Sequence, residues 1–287
     1  MIPMKPGIPA SLCALVLVQA FPAYALDCTK ALSQVERLFC AAPELKKADE
    51  AMSAAYFKLL HATTDPEFHA ALIRSQRRWL QVREGGPDAF GRATLRSADI
   101  RKILFEVTND RIAFLQSGEA IDRMQLQRKW QAQDSGGAFA GYKAYCVLQP
   151  PPYANWDYEC WGETRRQQNE RVCSSVMEWA SGQVTDHRAV SALKDGKPFV
   201  VATCSTGQVA RDEQCPLPDG DVWNKLDGRW NTTPARSEFS PAWDTADLWK
   251  YDPDVSLYAT DPKWMQECLF APTYPPTPGT DRRTGGH

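Results

Sequence analysis

The sequence predicts an α+β protein, in which a small all-α helical bundle precedes a disulfide-rich region of mixed α/β structure. Apolar residues recur at helical spacing over residues 26–118, whereas Gly, Pro, Trp and Tyr become frequent over residues 119–271. The formal charge changes at the same place, from +2 over residues 26–118 to −5 over residues 119–287. A chain of 287 residues is long enough for two modest domains of this kind.

Residues 1–25 have the features of a signal peptide. Lys5 gives a positive start, residues 8–21 form an apolar run, and Ala23-Tyr24-Ala25 is a small-x-small cleavage site. The run is shorter than the ~20 residues that cross a bilayer, and no later segment is long and apolar enough to do so. We therefore expect a periplasmic or secreted protein that does not span the membrane.

Two capping signals begin the helical region. Ser33 and Glu36 fit a capping box, which predicts a short helix that carries Cys40 near its end. Pro43 suits the first turn of a second helix, whose apolar residues repeat at spacings of three and four. A disulfide between Cys28 and Cys40 would close a short loop and stabilise so small a bundle by ~2–3 kcal/mol.

Two longer helices complete the expected bundle. Asp65 and Pro66 are a good N-cap and first-turn pair for a third helix, which we expect to stop at the Gly-Gly-Pro of residues 85–87. A fourth helix covers about residues 94–116, and Gly118 is its expected stop. Amphipathic helices joined by such short links form a small bundle.

The second region contains strand signals. Residues 139–148 are typical of a strand, and residues 189–203 predict a β-hairpin. The hairpin prediction depends on Asp195-Gly196, since Asp-Gly suits a tight turn between two strands.

The same region also contains two helix signals. Residues 163–179 predict a helix with Val172 and Val176 on one side, and a last short helix is expected to carry Trp264 and Cys268. Residues 272–287 are rich in Pro, Gly and Thr, so we expect a disordered tail there.

Eight cysteines remain after removal of the signal peptide, and an even number in an exported chain predicts disulfides. Within the second region the closely spaced cysteines are the first expected pairs, namely Cys146 with Cys160 and Cys204 with Cys215. The partners of Cys173 and Cys268 stay open at this stage. Since the chain has no Cys-x-x-Cys pair and only four histidines, we expect neither a metal nor a cofactor.

The order of motifs in the first region resembles a known family. The motifs are Asp27-Cys28-Thr29-Lys30-Ala31, Val35-Glu36-Arg37-Leu38-Phe39-Cys40, Pro43-Glu44-Leu45, Gln76-Arg77-Arg78-Trp79-Leu80 and Arg111-Ile112. In this order they are similar to the N-terminal domain of LprI-type lysozyme inhibitors, which are small secreted bacterial helical domains. Family members usually carry two further cysteines around the third and fourth helices, and this sequence lacks both.

The resemblance implies a binding protein, not an enzyme, that blocks a peptidoglycan-cleaving hydrolase sterically. Because the catalytic carboxylates of such a hydrolase attract basic groups, Lys58, Arg77 and Arg78 are candidate contacts. In the second region Trp156 and Trp161 flank polar, proline-containing stretches and are candidate partner-binding aromatics. The acids and histidines form no recognisable catalytic motif, and neither half is basic enough to suggest a nucleic-acid partner.

Trp79 has a second interpretation besides partner contact. Together with Gln76 and Arg83 it lies on one face of the third helix. We expect Trp79 to fill the bundle core, while Gln76 and Arg83 hold loop carbonyls or acids such as Glu36 or Asp49.

Two other functions stay open. The chain could be an immunity protein that neutralises a toxin delivered by a competing bacterium, with its specificity in the second region. It could instead be a non-inhibitory envelope protein that binds peptidoglycan or another carbohydrate through its tryptophans.

Overall fold

The described part of the chain folds into five α-helices, a five-stranded antiparallel sheet and a sixth helix, which confirms the α+β class. The structure is a computed structural model, and it describes residues 26–89, 96–149, 156–180, 183–206, 214–216, 229–234, 248–255 and 263–275. The expected signal peptide, and residues 276–287 of the expected tail, lie outside this part. Within it, no helix has both the length and the apolar character that crossing a membrane requires.

The helical region begins with a 3-10 turn at Cys28–Lys30. The five helices that follow are α1 (Gln34–Ala41), α2 (Pro43–Ala62), α3 (Pro66–Ala89), α4 (Ser97–Ser117) and α5 (Glu119–Gln131). The capping box is confirmed, since the Glu36 amide donates to Ser33 Oγ and the Ser33 amide donates to Glu36 Oε2, both at 2.9 Å. Asp65 caps α3 by accepting hydrogen bonds from the amides of Glu67 and Phe68.

The stop expected at residues 85–87 is wrong, because α3 continues to Ala89. Gly86 lies against Leu148 of the sheet, and a Cβ added to this glycine would come within 2.3 Å of Leu148 Cδ1. The glycine therefore permits close packing between helix and sheet, and this packing outweighs the weak helix propensity of glycine.

Helix α5 was not expected from the sequence. Gly118 ends α4 as predicted, with φ of 84°, but α5 begins at the next residue. Ala120 and Met124 of α5 are fully buried in the same apolar cluster as Phe68 and Trp79 of α3. The bundle core therefore includes residues beyond the domain boundary expected at 118.

The sheet is a simple meander of consecutive antiparallel strands. They are β1 (Gly141–Gln149), β2 (Asp157–Gln168), β3 (Arg171–Ala180), β4 (Gln183–Lys194) and β5 (Lys197–Ser205). The expected hairpin is confirmed, and both residues of its turn, Asp195 and Gly196, have positive φ. The last helix, α6 (Lys263–Phe270), is confirmed as well.

The helix expected at residues 163–179 is wrong, since this stretch forms most of β2 and β3. The two strands meet at a turn, where Asn169 has φ of 50°. The spacing of Val172 and Val176 fits a helix face, but it also fits one face of a strand, where side chains repeat every second residue. Pairing with the neighbouring strands decides between the two.

Four disulfides tie these elements together. They are Cys28–Cys40, Cys146–Cys160, Cys204–Cys215 and Cys173–Cys268. Cys146 and Cys160 lie directly opposite each other on β1 and β2. The pair that the sequence left open, Cys173–Cys268, spans 95 residues and fixes α6 to β3.

A segment from late in the chain crosses between the sheet and the bundle. We call residues 248–255 the strap. Trp249 exchanges two backbone hydrogen bonds with Tyr142 of β1, at 2.7 and 2.9 Å. Two residues later, Tyr251 is buried edge-on against Phe68 of α3, with 5.0 Å between ring centroids. The strap therefore contributes to the core of the helical bundle.

Candidate functional site

The structure separates the five residues predicted to contact a partner. Lys58 on α2 and Arg77 on α3 are exposed. Trp156 is half-buried against the cluster of Ile103, Val107 and Leu148, and Trp161 of β2 is also half-buried. The last of the five, Arg78, is turned towards the strap.

Arg78 forms ion pairs with two buried aspartates of the strap. Its guanidinium lies 2.7 Å from Asp252 Oδ2 and 2.6 Å from Asp254 Oδ2. Burial alone would lower the pKa of Arg78, but the hydrogen bond and the charges of the two aspartates outweigh it and raise that pKa. The Arg78 side chain is 18% exposed. Little of this side chain is therefore accessible to a partner protein.

Arg111 of α4 completes this buried network. It donates to Ser75 Oγ at 2.8 Å and to Gln76 Oε1 at 3.2 Å, and it lies 3.3 Å from Asp254 Oδ1. Ser75 in turn donates to the same Asp254 oxygen at 2.7 Å. Three residues of the family-like motifs, Gln76, Arg78 and Arg111, thus take part in the network that holds the strap.

The core interpretation of Trp79 is confirmed, since this side chain is 1% exposed. Arg83 pairs with Asp49 at 2.7 Å, as expected from the sequence. Its guanidinium also lies over the Phe39 ring, 4.5 Å from the centroid. This face of α3 is therefore interior and does not form a contact patch.

A groove of about 500 Å³ opens between the helices and the sheet. Asp110 and Phe114 of α4 form one wall, together with Arg123 of α5. Residues 157–162 of β2 form the other wall, and Met177 of β3 lies at one side. We call this space the α4–β2 groove.

Backbone pairing stops at this groove. β2 and β3 are paired from Gln168 and Arg171 as far as Glu163 and Val176. Residues 157–162 pair with β1 on one edge, but no described strand pairs with their other edge. An open strand edge presents unpaired N–H and C=O groups.

The charges around the groove are unbalanced. Four carboxylates line it, and three of them, Asp110, Asp157 and Glu159, form no ion pair with a described residue. The arginines of the groove are already engaged, because Arg111 pairs with Asp254 and Arg123 pairs with Glu119. The groove therefore has an excess of negative charge.

Burial and this excess of negative charge both raise the pKa of carboxyl groups in the groove. Partial burial raises the pKa of Asp110, and the negative charges of Asp157 and Glu106 raise it further. Burial also raises the pKa of Glu159, again with a contribution from Asp157. Glu159 Oε2 is shielded from solvent and has no hydrogen-bond partner among the described residues.

Aromatic groups lie among these acids. Phe114, Tyr158 and Trp161 all line the groove. The Tyr158 hydroxyl is buried and has no partner among the described residues, and burial raises the pKa of Tyr158. Acids placed among aromatic faces form a favourable environment for a cation.

The described residues offer one cluster of potential metal ligands, Cys146, Cys160 and Asp254. The two sulfurs are joined in a disulfide, and Asp254 is held by Arg78 and Arg111. The cluster therefore lacks the free thiolates that a zinc site uses.

The sequence points to Trp161 as a partner-binding residue, but the acids around Trp161 were not expected. Asp157 and Glu159 precede Trp161 at intervals of two residues, and this alternation on a strand was the available signal. Asp110 belongs to α4, and no local pattern relates it to β2.

Comparison with known proteins relates the first region to one family. Residues 27–115 match the family model described as Lysozyme inhibitor LprI. The matched stretch includes α1, α2 and α3 and nearly all of α4, so it ends before α5, the sheet and the strap. No curated protein and no solved structure matches the chain.

Proposed function

We propose that this chain is an exported binding protein that blocks a peptidoglycan-cleaving hydrolase by steric occlusion. The match of residues 27–115 to a lysozyme-inhibitor family is the observation that carries the proposal. Four disulfides support export, since such bonds persist in oxidising compartments.

A rigid body suits an inhibitor that works by shape. The strap joins α3, α4 and β1, and Cys173–Cys268 fixes α6 to β3. A surface already held in its binding conformation loses less conformational entropy on association than a flexible one. Inhibition then requires only that the bound protein covers the substrate cleft of the hydrolase.

Two surfaces are available for the contact. Lys58 and Arg77 are exposed cations, which we propose to lie near the acidic cleft of the hydrolase. The α4–β2 groove is the second surface, and it provides open volume, aromatic faces and uncompensated charge. Arg78 then acts indirectly by holding the strap in place.

An inhibition assay tests this function. The purified mature chain, with its disulfides formed, is added at micromolar concentration to a panel of muramidases that digest labelled peptidoglycan. We expect at least one enzyme to lose activity, with inhibition relieved by excess substrate. Full activity of the whole panel would contradict the proposal. Neutralisation of one delivered toxin alone would favour the immunity function instead.

A further inference from the structure

The open edge of β2 and the acidic groove beside it point to one kind of occupant. We propose that the α4–β2 groove binds an extended, basic segment of a protein partner, which pairs with β2 along residues 157–162. This inference rests on the proposed function in one respect, namely that the chain binds a protein. It adds which surface takes the partner and what chemistry that surface selects.

The strand edge argues for a polypeptide. Residues 157–162 provide an edge of about 20 Å, since a strand rises roughly 3.3 Å per residue. On this edge no described strand supplies hydrogen bonds, although β1 pairs with every one of these residues on the other side. An added strand forms hydrogen bonds with the N–H and C=O groups of this edge through its own main chain. The affinity therefore depends little on the side chains of the bound segment.

The charge argues that the segment is basic. Asp110, Asp157 and Glu159 line the groove without a cationic partner in the described structure, and the groove's two arginines are paired with other acids. A lysine or arginine placed among them supplies the missing countercharge. Trp161 offers its ring face to the same cation and to its aliphatic stem, whereas the Phe114 ring already lies under the guanidinium groups of Arg111 and Arg123.

A neutral sugar fits these observations less well. Aromatic rings and acids suit saccharides also, but a saccharide neither neutralises three carboxylates nor pairs with a strand edge. The two features together therefore select an extended peptide with positive side chains.

Three synthetic peptides test the proposal on the full mature chain. In the first, lysine alternates with valine and threonine. The second carries glutamate in place of lysine, and the third carries a central proline, which removes a backbone donor and disrupts strand pairing. Binding is followed by NMR through the amides of residues 157–162 and the indole of Trp161, which a Trp161→Phe variant assigns.

We expect the lysine peptide to shift these resonances and to bind at least about tenfold more tightly than either control peptide. A double variant, Asp157→Asn with Glu159→Gln, should weaken the lysine peptide about three- to tenfold. Its matched control is Glu44→Gln with Glu50→Gln, which removes the same charge from exposed positions of α2. This control variant should bind the lysine peptide with the same affinity as the unmodified chain.

Three results would overturn the proposal. They are equal binding of all three peptides, shifts confined to residues outside the groove, and shifts produced by an N-acetylglucosamine oligomer but not by the lysine peptide. The muramidase assay decides the proposed function separately. If the lysine peptide binds as expected while no muramidase is inhibited, peptide binding by the groove is supported and inhibition of a hydrolase is refuted. If the chain inhibits a muramidase but the lysine peptide does not bind, inhibition of a hydrolase is supported and peptide binding by the groove is refuted.

Discussion

Arg78 of α3 and Asp254 of the strap form an ion pair of 2.6 Å, although 176 residues separate them in the sequence. Asp254 is 3% exposed, and it also accepts hydrogen bonds from Ser75 and Arg111. A single carboxylate therefore joins two helices of the front bundle to a segment near the end of the chain.

The Asp254→Ala variant should be strongly destabilised. It leaves Arg111, which is 4% exposed, without its acidic partner and removes one of the two acids that pair with Arg78. Removing one member of a buried ion pair typically costs about 3–5 kcal/mol. Urea unfolding under non-reducing conditions measures this loss.

Glu106→Ala provides the control for Asp254→Ala. Glu106 pairs with Lys102 on the surface of α4 at 3.6 Å, and exposed pairs of this kind contribute about 0.5 kcal/mol or less. Equal losses of stability in the two variants would show that the strap contributes no special stability.

The Cys173–Cys268 disulfide should contribute more stability than Cys28–Cys40. The loops that they close differ in length, with sequence separations of 95 and 12 residues. Loop-closure entropy gives about 4.7 kcal/mol for the long loop and about 2.8 kcal/mol for the short one. Paired Cys→Ser variants, compared by guanidinium unfolding, measure the difference. A larger loss from Cys28 and Cys40 would contradict the expectation.

Two neighbouring glycines of α3 should respond to alanine in opposite ways. At Gly85 an added Cβ meets nothing within 4 Å, so Gly85→Ala should stabilise the helix by about 0.5–1 kcal/mol. At Gly86 it meets Leu148, which is 2% exposed, so Gly86→Ala should cost about 1–3 kcal/mol. Thermal unfolding of the two variants gives the sign directly, and stabilisation by both would argue against tight contact between α3 and β1.

The Asp110→Asn variant should change stability in a pH-dependent way. Because the pKa of Asp110 is raised above its ordinary value of 3.8, the folded protein binds this proton more tightly than the unfolded chain. The ionised carboxylate therefore costs stability as pH rises through and above that pKa. At pH 7 the variant should be more stable by about 0.5 kcal/mol, in line with a like-charge i,i+4 pair with Glu106.

The gain from Asp110→Asn should shrink as pH falls and disappear below about pH 3, where the carboxyl is protonated in both states. Glu50→Gln, which removes an exposed charge on α2 outside the groove, serves as the control. A gain that persists unchanged at low pH would show that charge repulsion is not its cause.

Short-range chemistry made much of the fold predictable. The capping box at Ser33, the cap at Asp65 and the turn at Asp195-Gly196 are each decided by residues within a few positions of one another. The disulfides between closely spaced cysteines also belong to this class. Local hydrogen bonds and backbone preferences act in the same way whatever the rest of the chain does.

The candidate site depends on contacts that no local pattern contains. The α4–β2 groove combines Asp110 of a helix with Asp157 of a strand, and the strap reaches Arg78 across more than half of the chain. The helix prediction for residues 163–179 is wrong for a related reason. Their apolar spacing suits a helix and a strand equally, and only pairing with neighbouring strands determines which one forms.

The distance between Arg78 and Asp254 along the chain also sets the order in which the two partners become available during synthesis. The front helices leave the ribosome first, yet the acids that neutralise Arg78 and Arg111 arrive more than 140 residues later. Contacts this far apart in sequence form late and slow the folding of a chain. A growing chain therefore carries Arg78 and Arg111 without their acidic partners until the strap has been synthesised.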